Sequence, residues 1–250
     1  MTAPAKRPGA GACAVSFLTA MPERQFVKYT FLKVDPAWRR LDPDERARHK
    51  REFMAACEDF ASERLLRAFS LVGTRGDAEL LLLAQATNLE RIHELHVVLA
   101  QSGLMHWCQI PYSFLAMTKA SEYSDESRLE VRPAHARYLF VYPFVKTREW
   151  YRLAPDERRR VMQEHIRIGR EYPQIDLNTS YSFGLDDQEF VVAFETDAPG
   201  AFLDLVQRLR TTEASAFTKR DTPTFTCVSM SVERALNALD GASLPVSLPV

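Results

Sequence analysis

The residues best able to do chemistry gather in the second half of this chain. In PDERRRVMQEHIRIGRE, residues 155–171, Val161, Met162, His165 and Gly169 fall on one face of a helix. A single imidazole on an apolar stripe is, in the default case, a core histidine with its polar atoms satisfied. Further on, Arg210 ends a second apolar-striped segment, and Glu213 follows it. A carboxylate behind an imidazole fixes the ring tautomer and raises its basicity toward a metal. One such imidazole per chain suits a five-coordinate haem iron. His49, His93, His96, His106 and His135 show no metal-ligand spacing, and the His93/His96 pair reads as helix surface. Cys13, Cys57, Cys108 and Cys227 form no CxxC pair, so neither a zinc knuckle nor a redox dithiol is indicated. Free thiols in a reducing compartment are the simpler reading.

The elements that must hold these residues come from an internal duplication. YTFLKVDPAWRRLDPDER, residues 29–46, repeats as YPFVKTREWYRLAPDER, residues 142–158. With one gap, Tyr29 falls on Tyr142, Lys33 on Lys146, Trp38 on Trp150 and Pro43 on Pro155. The match resumes downstream, with Glu79 on Glu189, Ile92 on Phe202, Leu95 on Leu205 and Leu99 on Leu209. In the second copy, ARYLFVYPFV reads as a strand and the segment from Pro155 as a helix. TSYSFG and EFVVAFE form a hairpin around LDDQ, Asp197 caps a second helix, and PTFTCVSM closes as a strand. The order is β-α-β-β-α-β, the ferredoxin-like arrangement. The first copy follows it, with strands near 26–33, 67–73, 79–85 and 112–118 and helices near 43–63 and 88–101.

The expected fold is therefore α+β, with two ferredoxin-like repeats forming a dimeric α+β barrel within one chain. Residues 1–24 read as a flexible leader, 25–120 as the first repeat and 121–136 as a polar linker. Residues 137–240 read as the second repeat and 241–250 as an extended tail. Duplication keeps a scaffold, so differences between the copies point to chemistry. His165 falls on Phe53 and Arg210 on Ala100. The first copy carries apolar residues where the second carries an imidazole and a guanidinium.

Bulk properties set limits. Apolar residues make up 46% of the 250, enough for a sizeable core, and the net charge is −1. A dedicated nucleic-acid binder would carry a basic surplus. No apolar run reaches the ~18 residues of a membrane span. GAGACAVSFLTAM lacks the strong apolar centre of a signal peptide, and a cytoplasmic location is expected.

YPFVK, EHIRIGR, SYSFGLDDQEFVVAFE, LRTTEAS and DTPTFTC, in that order, resemble the haem-binding family of chlorite dismutases and coproheme decarboxylases. The resemblance covers nearly the whole chain and is densest from Arg137 to Cys227. It implies that His165 is the proximal haem ligand and Glu213 its hydrogen-bonding partner. Tyr142 matches the tyrosine that the decarboxylases oxidise to a radical. Lys146, Arg210 and Ser215 match groups that hold propionates, with Arg128 a further match on spacing. Leu177 and Phe144 fall in the distal pocket.

Chlorite dismutases tend to carry a tryptophan pair after the lysine, where this chain has Trp150-Tyr151, and two further departures concern the distal position. Chlorite dismutases carry a distal arginine at about Leu177, or at Asn178, and one bacterial branch of decarboxylases carries glutamine there. This chain has neither. Retention of Tyr142 and Lys146 favours the decarboxylase branch. The resemblance then implies hydrogen peroxide-dependent conversion of Fe-coproporphyrin III (coproheme) to haem b, in which a tyrosyl radical takes hydrogen from a propionate β-carbon and carbon dioxide leaves. The alternatives are chlorite decomposition to chloride and dioxygen, or haem binding and transfer without turnover. The family also implies a homopentamer and a transient contact with ferrochelatase.

Overall fold

The structure is a computed structural model and describes residues 23–123 and 131–242. Cys13 and Arg128, most of the expected leader and most of the tail lie outside the described residues. The first repeat runs β1 (Phe26–Val34), α1 (Pro43–Ala61), β2 (Leu66–Ser70), β3 (Leu80–Ala86), α2 (Leu89–Ala100) and β4 (Cys108–Met117). The second runs β5 (Tyr138–Lys146), a short α3 (Arg148–Arg152), α4 (Pro155–Arg170), β6 (Asp176–Tyr181), β7 (Phe190–Thr196), α5 (Pro199–Leu209), β8 (Thr218–Arg220) and β9 (Phe225–Met230). A last helix, α6 (Val232–Ala238), follows. With the short extras set aside, both repeats have the expected β-α-β-β-α-β order.

Local signals explain the helix starts. Asp42 accepts from Asp44 N–H ahead of Pro43, and Asn88 accepts from Arg91 N–H. Helix α4 opens with Pro155, Asp156 and Glu157, which suit the positive end of its dipole. One expectation fails here. Asp197 does not cap α5; its carboxylate accepts from the backbone N–H of Arg137 at 2.7 Å, and the cap position is Ala198 with no side-chain bond. Fastening the start of β5 takes the carboxylate that local spacing assigned to the helix.

The strands close on themselves. The order is β7-β6-β4-β1-β3-β2-β9-β5-β8, and β7 also pairs with β5. Eight strands thus make a barrel, with β8 attached outside the ring. The repeats join at β2–β9, through Ala68↔Met230 to Ser70↔Val228, and at β4–β6, through Met117↔Tyr181 alone. Closure removes the free sheet edges that each repeat would otherwise expose.

Strand alternation divides the core. Val27, Tyr29, Phe31, Phe69, Leu83, Leu139, Val141, Val191 and Phe225 fill the barrel interior. The outer face of the first repeat packs α1 and α2 through Trp38, Phe53, Ile92, Leu95 and Leu99. The outer face of the second packs α4 and α5 through Phe140, Ile168, Phe194, Phe202 and Leu205. Helix α6 crosses to the first repeat, where Ala235, Leu236 and Leu239 join its core and Asp240 takes Lys50 at 2.7 Å. Cys57 and Cys227 are buried, and burial pushes the Cys57 thiol up to about 12, as expected of inert thiols.

Candidate functional site

The site is built on the outer face of β5. Alternation puts Tyr138, Phe140, Tyr142, Phe144 and Lys146 on that face. Cross-strand pairing extends it in rows: Phe140–Phe194–Leu177, Tyr142–Val192–Thr179 and Phe144–Phe190–Tyr181. Helices α4 and α5 lie over part of this floor, with Ile168 and Phe202 seated among Phe140 and Phe194.

His165 points from α4 toward this layer. Its Nδ1 lies 3.3 Å from Thr212 Oγ1. That hydroxyl already donates to Leu209 C=O at 2.8 Å, so it accepts from the imidazole. The bond places the proton on Nδ1 and leaves Nε2 free as a ligand. Burial, with the charge of Lys146 acting in the same direction, lowers His165 to about 4. The imidazole is neutral at ordinary pH, the form a metal requires.

Lys146 is a partly buried cation. Its Nζ donates to Ala214 C=O at 3.2 Å and lies 4.3 Å from the Trp150 ring centroid. Burial lowers it to about 8, against a smaller opposing pull from Glu189. Tyr142 is raised to about 12, first by burial and then by Asp221, with Arg210 pulling the other way. Its phenol is therefore protonated at neutral pH.

The structure corrects the alignment of the two copies. Thr30 pairs with Leu82 just as Tyr142 pairs with Val192. Glu79 accepts from Val34 N–H at 3.1 Å just as Glu189 accepts from Lys146 N–H at 2.7 Å. The counterpart of Tyr142 is thus Thr30 rather than Tyr29, and that of Lys146 is Val34 rather than Lys33. A one-residue slip moves a side chain to the opposite face. Tyr29 lies in the barrel interior, fully buried, where the second repeat has Val141. The contrast between repeats is sharper for it: Thr30, Val34 and Phe53 stand where Tyr142, Lys146 and His165 form the site.

Other expected residues are placed as follows. Glu213 is held by Arg160 at 2.8 and 2.9 Å, and the imidazole takes Thr212 in its stead. The carboxylate is drawn away by a cation on α4, while the adjacent hydroxyl meets the ring edge at Nδ1. Arg210 follows α5 as expected, but it is ion-paired with Asp221. Ser215 lies in the short helical turn after Thr212, half-buried. Leu177 is on the site face and 47% exposed, whereas Asn178 faces away and exchanges bonds with the Arg132 backbone. Of the two, only Leu177 shares the face of Tyr142 and Phe144. Phe144 packs edge-on to Phe190. Thr212, Asp221 and Glu189 were not anticipated, though the Glu79/Glu189 repeat carried a signal for one of them, and Tyr151 stood out only as a departure from the tryptophan pair. His96 is occupied by Thr30 Oγ1 and Ile92 C=O, both at 2.8 Å, beside an open groove of about 510 Å³ in the first repeat.

The donor set suits one kind of ligand. Among the described residues, no group of three or more His, Cys, Asp or Glu could hold a metal. A metal held by His165 would need its other ligands from a bound group. An aromatic and aliphatic floor fits a flat macrocycle, and a desolvated lysine calls for a carboxylate. A carboxylated iron porphyrin meets all three demands.

A family profile described as Chlorite dismutase matches residues 21–230. The chain belongs to the chlorite dismutase family. It is 31% identical over 175 residues to the coproheme decarboxylase of Mycolicibacterium smegmatis, across 68% of this chain and 75% of that protein. Its fold matches a chlorite dismutase variant from Candidatus Nitrospira defluvii with TM-score 0.81 at 22% identity, covering 88% and 97% of the two chains. A haem-binding protein from Thermus thermophilus matches with TM-score 0.79 at 25% identity, covering 88% and 96%. The family includes both chlorite dismutase and coproheme decarboxylase. No described helix is long and apolar enough to cross a membrane.

Proposed function

We propose that this chain is a peroxide-dependent coproheme decarboxylase. The observation that carries the reading is one strand face, on which Tyr142 and the partly buried cation Lys146 lie under the helix of His165. Similarity to a coproheme decarboxylase supports it. Bound coproheme would supply an iron that reacts with hydrogen peroxide and the propionates that lose carbon dioxide.

The chain's own residues do the rest. His165 would hold the iron through Nε2, with Thr212 fixing the ring. Lys146 would meet one propionate as a point charge. Arg210 would clamp another with its planar fork, in competition with Asp221, and Ser215 would add a hydroxyl donor. Arg128 is the remaining candidate for a propionate. Tyr142, kept protonated by burial, has an O–H from which oxidation yields a neutral phenoxyl radical. That radical would take a hydrogen atom from the propionate β-carbon and so regain its O–H, and a second electron, passed to the peroxide-derived oxidant, would let carbon dioxide leave. Leu177 and Phe144 offer no charge on the distal side.

Chlorite decomposition is the second reading, and the family carries it. It lacks an arginine at Leu177, the position where the resemblance expects one. Haem binding and transfer without turnover would need His165 but not Tyr142. The deciding experiment loads purified protein with ferric coproheme, titrates hydrogen peroxide and follows porphyrins by mass spectrometry. Mono- and didecarboxylated products are expected. Intact coproheme after complete peroxide consumption would overturn the reading, and dioxygen released from chlorite would favour its rival.

A further inference from the structure

Both repeats build the same node around a buried glutamate, and they complete it with different chemistry. In the first repeat Glu79 accepts from Val34 N–H and is paired with Arg39 at 2.6 Å and Lys33 at 3.4 Å. In the second, Glu189 accepts from Lys146 N–H and from the Tyr151 hydroxyl at 2.6 Å. Arg39 follows buried Trp38 in sequence as Tyr151 follows buried Trp150. A phenol thus replaces a guanidinium on the same carboxylate. Among the described residues, the one cation ion-paired with Glu189 is Arg148, 3.7 Å away and 79% exposed, which solvent screens.

An arginine holds this strand end in the first repeat, so fastening the strand does not require tyrosine. The tyrosine adds an O–H that can lose an electron and a proton together, with the acceptor already in place. Trp150 precedes Tyr151 in sequence, and its ring centroid lies 4.3 Å from the Lys146 ammonium.

We propose that Tyr151 and Glu189 form a second redox-active pair in this protein. The Tyr151 phenol gives one electron to a one-electron oxidant. Its O–H bond breaks, and the proton moves to Glu189 Oε2, forming a new O–H bond there. A neutral phenoxyl radical and a neutral carboxylic acid result. In the protein's own chemistry the oxidant is of the peroxide-oxidised iron-porphyrin class, and in that respect the inference rests on the preceding reading. The pair then drains oxidising equivalents that Tyr142 has not delivered to substrate.

The described residues hold a built-in comparison. Tyr112 also donates to a carboxylate, Asp77, at 2.6 Å. There Arg75 binds both Asp77 oxygens, at 2.7 and 2.5 Å, and holds the carboxyl well below the usual range. Asp77 is a poor proton acceptor for that reason, whereas Glu189 carries no such clamp.

The test supplies the oxidant by light, so it is independent of porphyrin turnover. The full chain is photo-oxidised with ruthenium tris-bipyridyl and persulfate in the presence of a nitroso spin trap, and adducts are mapped by mass spectrometry. Tyr151 is expected to be labelled ahead of Tyr112. Glu189→Gln keeps an acceptor for Lys146 N–H and should lower the Tyr151 adduct by about 100-fold, the low end of what a positioned proton acceptor contributes. The Tyr112 adduct should stay constant. In the parent chain, Tyr151 labelling should not depend on the concentration of buffer base, while Tyr112 labelling should rise with it. This second readout needs no variant to fold. Labelling of Tyr112 equal to that of Tyr151, or buffer dependence at Tyr151, overturns the pair. Failure of coproheme decarboxylation overturns the preceding reading and leaves these outcomes unaffected.

Discussion

Lys146→Met should make the protein more stable at neutral pH while removing much of its affinity for coproheme. Burial lowers the Lys146 ammonium from 10.5 to about 8. That gap of about 2.5 units corresponds to roughly 3 kcal/mol of cost for the charged form in the folded state. That cost is already net of the bond to Ala214 C=O and the contact with the Trp150 face, and the partial exposure of the side chain reduces what is realised to roughly 1–2 kcal/mol. Methionine fills similar volume without the charge. The expected net gain is about 1 kcal/mol, or a rise in Tm of roughly 2–4 °C for a chain of this size. The sign with pH follows from the direction of the shift. The folded value lies below the unfolded one, so the penalty is complete below pH 8. It fades as pH rises from 8 to 10.5, where the lysine becomes neutral in both states. Thermal melts of parent and variant at pH 7 and pH 10 should therefore converge at the higher pH. A bound carboxylate offsets the penalty in the parent. Losing that charge-assisted bond should weaken coproheme binding roughly 10- to 100-fold by fluorescence quenching. A variant that melts below the parent at pH 7, a gain equal at both pH values, or unchanged affinity would refute this reasoning.

Other outcomes follow from the same geometry. Asp221→Asn frees Arg210 from its ion pair and should tighten coproheme binding a few-fold in an equilibrium titration; because Arg210 is 54% exposed the pair is weak, so unchanged or weaker binding would remove Arg210 from the propionate set. Thr212→Val should shift the iron–imidazole stretching band in resonance Raman spectra of the loaded ferrous protein, whereas Glu213→Ala should not; the reverse pattern would restore the carboxylate partner expected from the sequence. His165 stays neutral down to about pH 4, so iron–imidazole ligation should survive at pH 5 in absorption spectra, and its loss near pH 6 would contradict the buried setting. The same shift means that the folded state loses stability as pH falls from 6.5 toward 4, because the unfolded chain binds that proton first. Tyr142→Phe should retain coproheme binding and stop its decarboxylation, and equal turnover in parent and variant would end the radical role.

Much of the architecture was legible in the residues. Period-two runs marked the strands, and apolar stripes with Pro43 or Pro155 at their starts marked the helices. The repeat of Trp38 and Glu79 in Trp150 and Glu189 announced the duplication. His165 stood out for a physical reason: its counterpart, Phe53, shows that the scaffold itself needs only a buried ring there. These signals are local. They reflect backbone propensity and the burial of one face, which neighbouring residues decide among themselves.

Tertiary structure decided the rest. Shared Tyr and Lys letters drew Tyr29 onto Tyr142 and Lys33 onto Lys146, yet the ladders place Thr30 and Val34 there. Alternation looks the same in either register, and only pairing with β3 and β7 fixes which face a side chain takes. Helix α6 packs on the far repeat because β9 pairs with β2, a contact between residues some 160 positions apart, Ser229 and Phe69. Thr212 rather than Glu213 meets the imidazole because Arg160, on the same helix as His165, holds the carboxylate. Sequence thus determined which elements form and that the second repeat carries the chemistry. The identity of each partner around His165, Lys146 and Tyr142 was set by ladders and ion pairs between distant segments, whose energies no local pattern contains.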